Sequence, residues 1–179
     1  MSNERTVEVP GIPTTVEEFV ALRDGLATTP HGGAAVFVVA LVAYSQDEAL
    51  GRACLTIAVD GSLLSDGDQG YKGKQLSIVD MRNMKERLGG KPYVARSYIQ
   101  GTSAAEAYAL PPAPLTIRIK EQPHDISPER AKVFVHSTAA DSPRPIALVP
   151  NNRGIWKARE WSSLQVGGRP PVVVVDDDL

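Results

Sequence analysis

A chain of 179 residues with 42% hydrophobic and 22% charged side chains is expected to fold around a single core. Lys and Arg number 19 against 21 Asp and Glu, a formal net charge of -2, so the basic excess needed to coat a nucleic acid is missing. Cys54 is alone, which excludes an intrachain disulfide and a zinc site built on several thiolates. The polar N-terminus has no basic-then-apolar signal pattern, and the longest apolar run, Ala34 to Tyr44, is 11 residues, too short for a bilayer. The expectation is a soluble, cytoplasmic protein with no membrane role and no cofactor.

In chain order, residues 1–13 read as an arm or an edge strand closed by Pro10-Gly11-Ile12-Pro13. Thr14-Thr15-Val16-Glu17-Glu18 is a doubled capping box, and Val16, Phe19, Val20, Arg23 and Leu26 then fall on one helical face. Thr29-Pro30 and Gly32-Gly33 are expected to stop that helix. Ala34 to Tyr44 is apolar throughout, so periodicity does not separate helix from strand. Its alanines and its position before another helix start favour a helix. Ser45-Gln46-Asp47-Glu48 opens the next helix, whose stripe includes Leu50, Ala53, Cys54 and Ile57. Cys54 reads as a small buried hydrophobe.

Asp60 to Gly73 turns polar and glycine-rich, an expected loop. Ser77 caps a fourth helix with Ile78, Met81, Met84 and Leu88 as its expected buried face, ended by Gly89-Gly90. Tyr93 to Ile99 reads as a strand, and Gly101 to Pro114 as a long ordered loop. Leu115 to Lys120 alternates as a half-buried strand, followed by strands at 132–137, 145–149 and 155–161, with a hairpin turn at Asn151-Asn152-Arg153-Gly154. The fold class is α+β: about four helices packed on a mainly four-stranded antiparallel meander. The expected domain spans 14–168, between the N-terminal arm and a Pro/Val/Asp tail at 169–179.

The most specific wording is Asp141-Ser142-Pro143-Arg144-Pro145, then Asn152-Arg153-Gly154-Ile155-Trp156-Lys157, then Glu160-Trp161-Ser162-Ser163-Leu164. With Gly70-Tyr71-Lys72-Gly73 and Lys91-Pro92-Tyr93 upstream, it resembles a bacterial family catalogued as a domain of unknown function, over roughly residues 14 to 171. Gly168 departs from the larger residue usual there. The resemblance implies no activity.

The candidate sites are sparse. His31, His124 and His136 show no metal spacing, and His31 and His124 are expected in exposed loops. Asp125, Glu129 and Asp141 fall in loops of the sheet half. Gly70-Tyr71-Lys72-Gly73-Lys74 lacks the spacing of a nucleotide P-loop. From Lys72 to Arg96, seven basic residues (Lys72, Lys74, Arg82, Lys85, Arg87, Lys91, Arg96) outnumber Asp80 and Glu86, a local excess suited to an acidic partner. Trp156 and Trp161, five apart on one strand, point to opposite faces unless a bulge intervenes. Four valines and three aspartates close the tail, which reads as an edge strand or as a segment that joins another sheet.

The expected function is therefore a non-enzymatic interaction or scaffold module of a bacterial multi-protein system, with protein partners or self-association through the tail. The candidate partner-binding residues are Lys72, Lys74, Arg82, Arg144, Trp156, Trp161, Val173 and Val175. Two other readings stand beside it: a small-molecule or enzymatic domain with an apolar pocket between helices and curved sheet, and phosphate or nucleic-acid binding through Lys72 to Arg96, which the overall charge disfavours.

Overall fold

The computed structural model describes residues 3–173, and they form an α+β fold. Strand β1 (Asn3–Val9) comes first, then helices α1 (Val16–Leu26), α2 (Pro30–Gln46) and α3 (Glu48–Ala58). A small hairpin, β2 (Ser65–Tyr71) and β3 (Lys74–Gln75), precedes α4 (Ile78–Leu88) and α5 (Pro92–Arg96). Strands β4 (Leu115–Ile126), β5 (Ala131–Val135), β6 (Arg144–Pro150) and β7 (Trp156–Glu160) complete the chain, with a closing 3-10 turn at Ser162–Gln165.

The main sheet is antiparallel with strand order β1-β4-β5-β6-β7. It has five strands where the sequence suggests four, because the N-terminal segment takes the edge-strand form, Val9 pairing with Leu115 and Asn3 with Glu121. Leu115, Ile117 and Ile119 of β4, Val133 and Val135 of β5, and Ile146 and Leu148 of β6 are buried on its inner face. The β7 edge is partly covered by the chain leaving α3. Val59 bridges Ala158, and the Asp60 N–H donates to the Ala158 carbonyl at 2.8 Å.

Helix α2 lies on that inner face, touching all five strands on one side and α1 and α3 on the other. Every residue from Gly32 to Tyr44 is buried. Here lies the reason the segment has no apolar period: a helix enclosed on all sides has no solvent face to make polar. Burial also pushes the Cys54 thiol up to about 12, which leaves it a neutral space-filling group.

Several local expectations give way. Thr29 and Pro30 start α2 rather than stop α1: the Thr29 hydroxyl accepts from the Gly32 N–H at 3.1 Å and Pro30 occupies the first turn. Asp47, not Ser45, caps α3, accepting from the Leu50 N–H. The polar stretch expected as a loop contains the β2–β3 hairpin. Residues 93–99 are not a strand; Pro92 opens a short helix, and the Tyr98 hydroxyl donates to the Leu164 carbonyl at 2.8 Å. Ile78 is not buried but 70% exposed. At Gly168 the backbone passes close to its neighbour, since a Cβ there would lie 2.2 Å from the Ala139 carbonyl oxygen.

Candidate interaction groove

Helix α4 is built from a cap and a limited apolar stripe. The Ser77 hydroxyl accepts from the Asp80 N–H at 3.1 Å, and Lys85 and Arg87 sit in the last turn, where the helix dipole favours cations. Only Met84 and Leu88 are fully buried. The stripe continues N-terminally through half-buried Met81 to Ile78, with Val79 beside it at 60% exposure. The β2–β3 hairpin is held close to α3, because Gly70 lacks the Cβ that would lie 2.4 Å from the Thr56 hydroxyl. Its turn uses positive φ at Lys72 and Gly73.

Between α4, the end of α2 and the start of α3 run two adjoining depressions, about 390 and 490 Å³, which share Tyr44, Glu48 and Lys85. Leu76, Met81, Met84 and Tyr44 supply apolar lining, and Arg52, Arg82, Lys85 and Glu48 supply charge. Glu48 is held by Arg52 at 2.5 Å, and Arg52 also donates to the Gln69 side chain at 2.9 Å. The Arg52 hydrogen bond holds the Glu48 carboxyl below its ordinary value, with Lys85 adding to it. Burial, then the Glu48 charge, pushes the Tyr44 phenol up, so it stays protonated and able to donate. Three cations against one carboxylate leave the groove positive. Arg82 and Lys85 are exposed and form no ion pair among the described residues. An apolar floor under a charged rim is the make-up of a recognition surface.

The sequence model of a family described as a domain of unknown function (DUF6935) matches residues 11–172. The chain belongs to this family. No curated protein matches it, and no solved structure does.

The singled-out residues of this DUF6935 member divide sharply. Lys74 pairs with Asp66, and the Lys72 ammonium lies 5.2 Å from the Tyr71 ring centroid, so both are engaged within the hairpin. Arg82 alone of the seven that are described lines the groove. Arg144 donates to the carbonyls of Ser163 and Val166, fastening β6 to the closing turn. Trp161 is buried with its ring 5.5 Å from that of Phe37, and Trp156 is half-buried against the core. A register shift between Ala147 and Leu148 places a bulge in the β6–β7 pairing between the two tryptophans, the exception to simple alternation. Val173 is 79% exposed, and Val175 lies outside the described residues.

Other chemistry-bearing groups in the DUF6935 fold are structural or scattered. His31 is not in a loop but in the first turn of α2, where its Nδ1 lies 2.7 Å from Glu121 Oε1. The Arg5 Nε donates to Glu121 Oε2 at 3.1 Å. Glu121 is almost fully buried, so this pair of contacts places a carboxylate near the positive end of α2 and ties it to the β1–β4 edge. His136 contacts Glu4 at 3.0 Å, and His124 is exposed beside Asp125. Asp125 and Glu129 line one depression of about 760 Å³ with Lys132 and Arg159, while Asp141 pairs with Arg169 elsewhere. Lys157 donates to the Ile57 carbonyl at the end of α3, and burial brings its ammonium down to about 8. Among the described residues no group of three or more His, Cys, Asp or Glu is arranged to hold a metal ion, and no helix is long and apolar enough to cross a membrane.

Sequence reasoning reached the groove through its charges, not its floor. The basic segment flagged Arg82 and Lys85, but Tyr44, Glu48 and Arg52 come from elements 30 to 40 residues earlier. The available signal was an apolar stripe on α4 longer than the surface it packs on.

Proposed function

We propose that this domain is a non-enzymatic protein-interaction module and that the groove along α4 receives a segment of a partner protein. The observation carrying this reading is the exposure of Ile78 and Val79, at 70% and 60%, on α4 three residues before Met81 and Arg82 of a positively rimmed groove. Adjacent apolar side chains left in water next to a cleft mark a surface that is covered when in use. The partner segment then carries apolar anchors beside acidic residues. Site-specific photo-crosslinking in the native cell tests this, with the reactive side chain at Val79 or, as a remote control, at Arg153 in the β6–β7 turn. A discrete adduct at 79 that Arg82→Glu with Lys85→Glu abolishes is expected. Identical adducts at both positions, or none at 79, reject the groove.

A small-molecule site is the second reading, supported by Asp125, Glu129, Lys132 and Arg159 lining one depression. A charged metabolite bound there raises the melting temperature. No rise across a panel of charged metabolites sets that reading aside.

A further inference from the structure

Resting on the groove reading, we propose its occupant: residues 172–179 of a second copy of this chain. The described part of that segment is unusual. Arg169 is fastened to the body through its N–H to the Ala139 carbonyl and its guanidinium to Asp141 and the Thr138 carbonyl. The Val172 N–H donates to the Ala104 carbonyl at 2.9 Å. Yet Val172 and Val173 are 60% and 79% exposed, so the backbone is anchored while the apolar side chains find no cover among the described residues.

The sequence from this point is Val172-Val173-Val174-Val175-Asp176-Asp177-Asp178-Leu179, apolar first and acidic after. The groove offers both kinds of contact: Leu76, Met81 and Met84 for the valines and, alternating with the two methionines along α4, Arg82 and Lys85 for the aspartates. An α4 of 11 residues is about 16 Å long, the reach of roughly five extended residues, so it takes the Val-to-Asp junction of the segment rather than all of it. The protonated Tyr44 hydroxyl makes no hydrogen bond within the described residues and can donate to a backbone carbonyl of the incoming segment.

A second copy fits better than the segment's own chain. Consecutive β-branched residues oppose a turn and favour extension, which favours a neighbouring molecule's groove over folding back on the same chain. The contact is head-to-tail: tail of one copy, groove of the next.

Sedimentation velocity tests it with three proteins: the full chain, a variant ending at Val173, and the full-length Arg82→Glu/Lys85→Glu variant. Circular dichroism melts of the two variants establish that they fold. The full chain is expected to gain mass with concentration, and charge reversal to weaken association on the order of tenfold or more. Neither variant self-associates strongly, but mixing them restores a single heterodimer, because one keeps the groove and the other keeps the tail. A full chain that stays monomeric at every concentration, truncation that leaves association unchanged, or a mixture that stays monomeric overturns the proposal. If the Val79 photo-adduct persists in the truncated variant, the groove reading stands and this occupant is wrong. If the adduct is absent in every form, the groove reading fails as well.

Discussion

Helices α2 and α4 show two uses of apolar residues. Helix α2 is apolar around its whole circumference and buried around it, packed between the sheet and helices α1, α3 and α5. Helix α4 has a narrower stripe, buries only Met84 and Leu88, and leaves Ile78 and Val79 in water. The first arrangement maximises the area removed from water, and with it stability. The second holds the helix in place and leaves part of its stripe for something else. A side chain's hydrophobicity therefore does not decide whether it works for the fold; the presence of a covering element does.

The largest effects should fall around α2. Phe37→Ala removes a fully buried ring that packs on Trp161, and urea unfolding should show a loss of about 3–5 kcal/mol. A loss under about 1 kcal/mol would mean that α2 is not the centre of the core.

Gly51→Ala comes next. A Cβ at Gly51 would lie 2.0 Å from the Tyr44 Cα, so the α2–α3 contact must open. Alanine gains about 1 kcal/mol in helix propensity, but the clash with backbone costs about 1–3 kcal/mol. Net destabilisation is expected in thermal melts, and a raised melting temperature would disprove the close approach.

A smaller effect concerns Cys54. Its folded value is raised to about 12, above the roughly 8.5 of an unfolded thiol. The folded state then holds a proton that the unfolded state loses, so this contribution is complete below about pH 8.5 and declines as pH rises toward 12. Unfolding midpoints of Cys54→Ala should fall less steeply across that window than those of the parent chain. Parallel slopes would contradict the burial.

The smallest change in stability should come from Ile78→Ser with Val79→Ser. Both side chains are exposed, so urea unfolding should show stability within about 0.5 kcal/mol of the parent chain. A large loss of stability would erase the contrast between the two helices.

Much of this was readable beforehand, and the failures have specific causes. The capping at Thr15 and Ser77, the alternation in Leu115 to Lys120 and the turn at Asn151 to Gly154 are local devices, and local physics identifies them. Thr29-Pro30 reads as a stop because proline follows helix ends as well as opening helices, but α1 ends at Leu26 and these two residues only begin α2. Tyr93 to Ile99 has strand propensity, yet Pro92 and the packing of Tyr98 beneath the closing turn hold it helical or bent. His31 looked free because its partner, Glu121, lies 90 residues away in the sequence.

The sequence by itself determined the α+β class, the order of helices before the strand meander, most helix starts and the single buried thiol. These follow from periodicity, capping and composition, which act within a few residues. Only the tertiary structure decided that the N-terminal segment completes the sheet, that both tryptophans pack on the core, and that Tyr44, Arg52 and Arg82 meet along one groove. Each of these depends on which surfaces come to cover one another, and coverage is a property of distant contacts that no short stretch of chain contains.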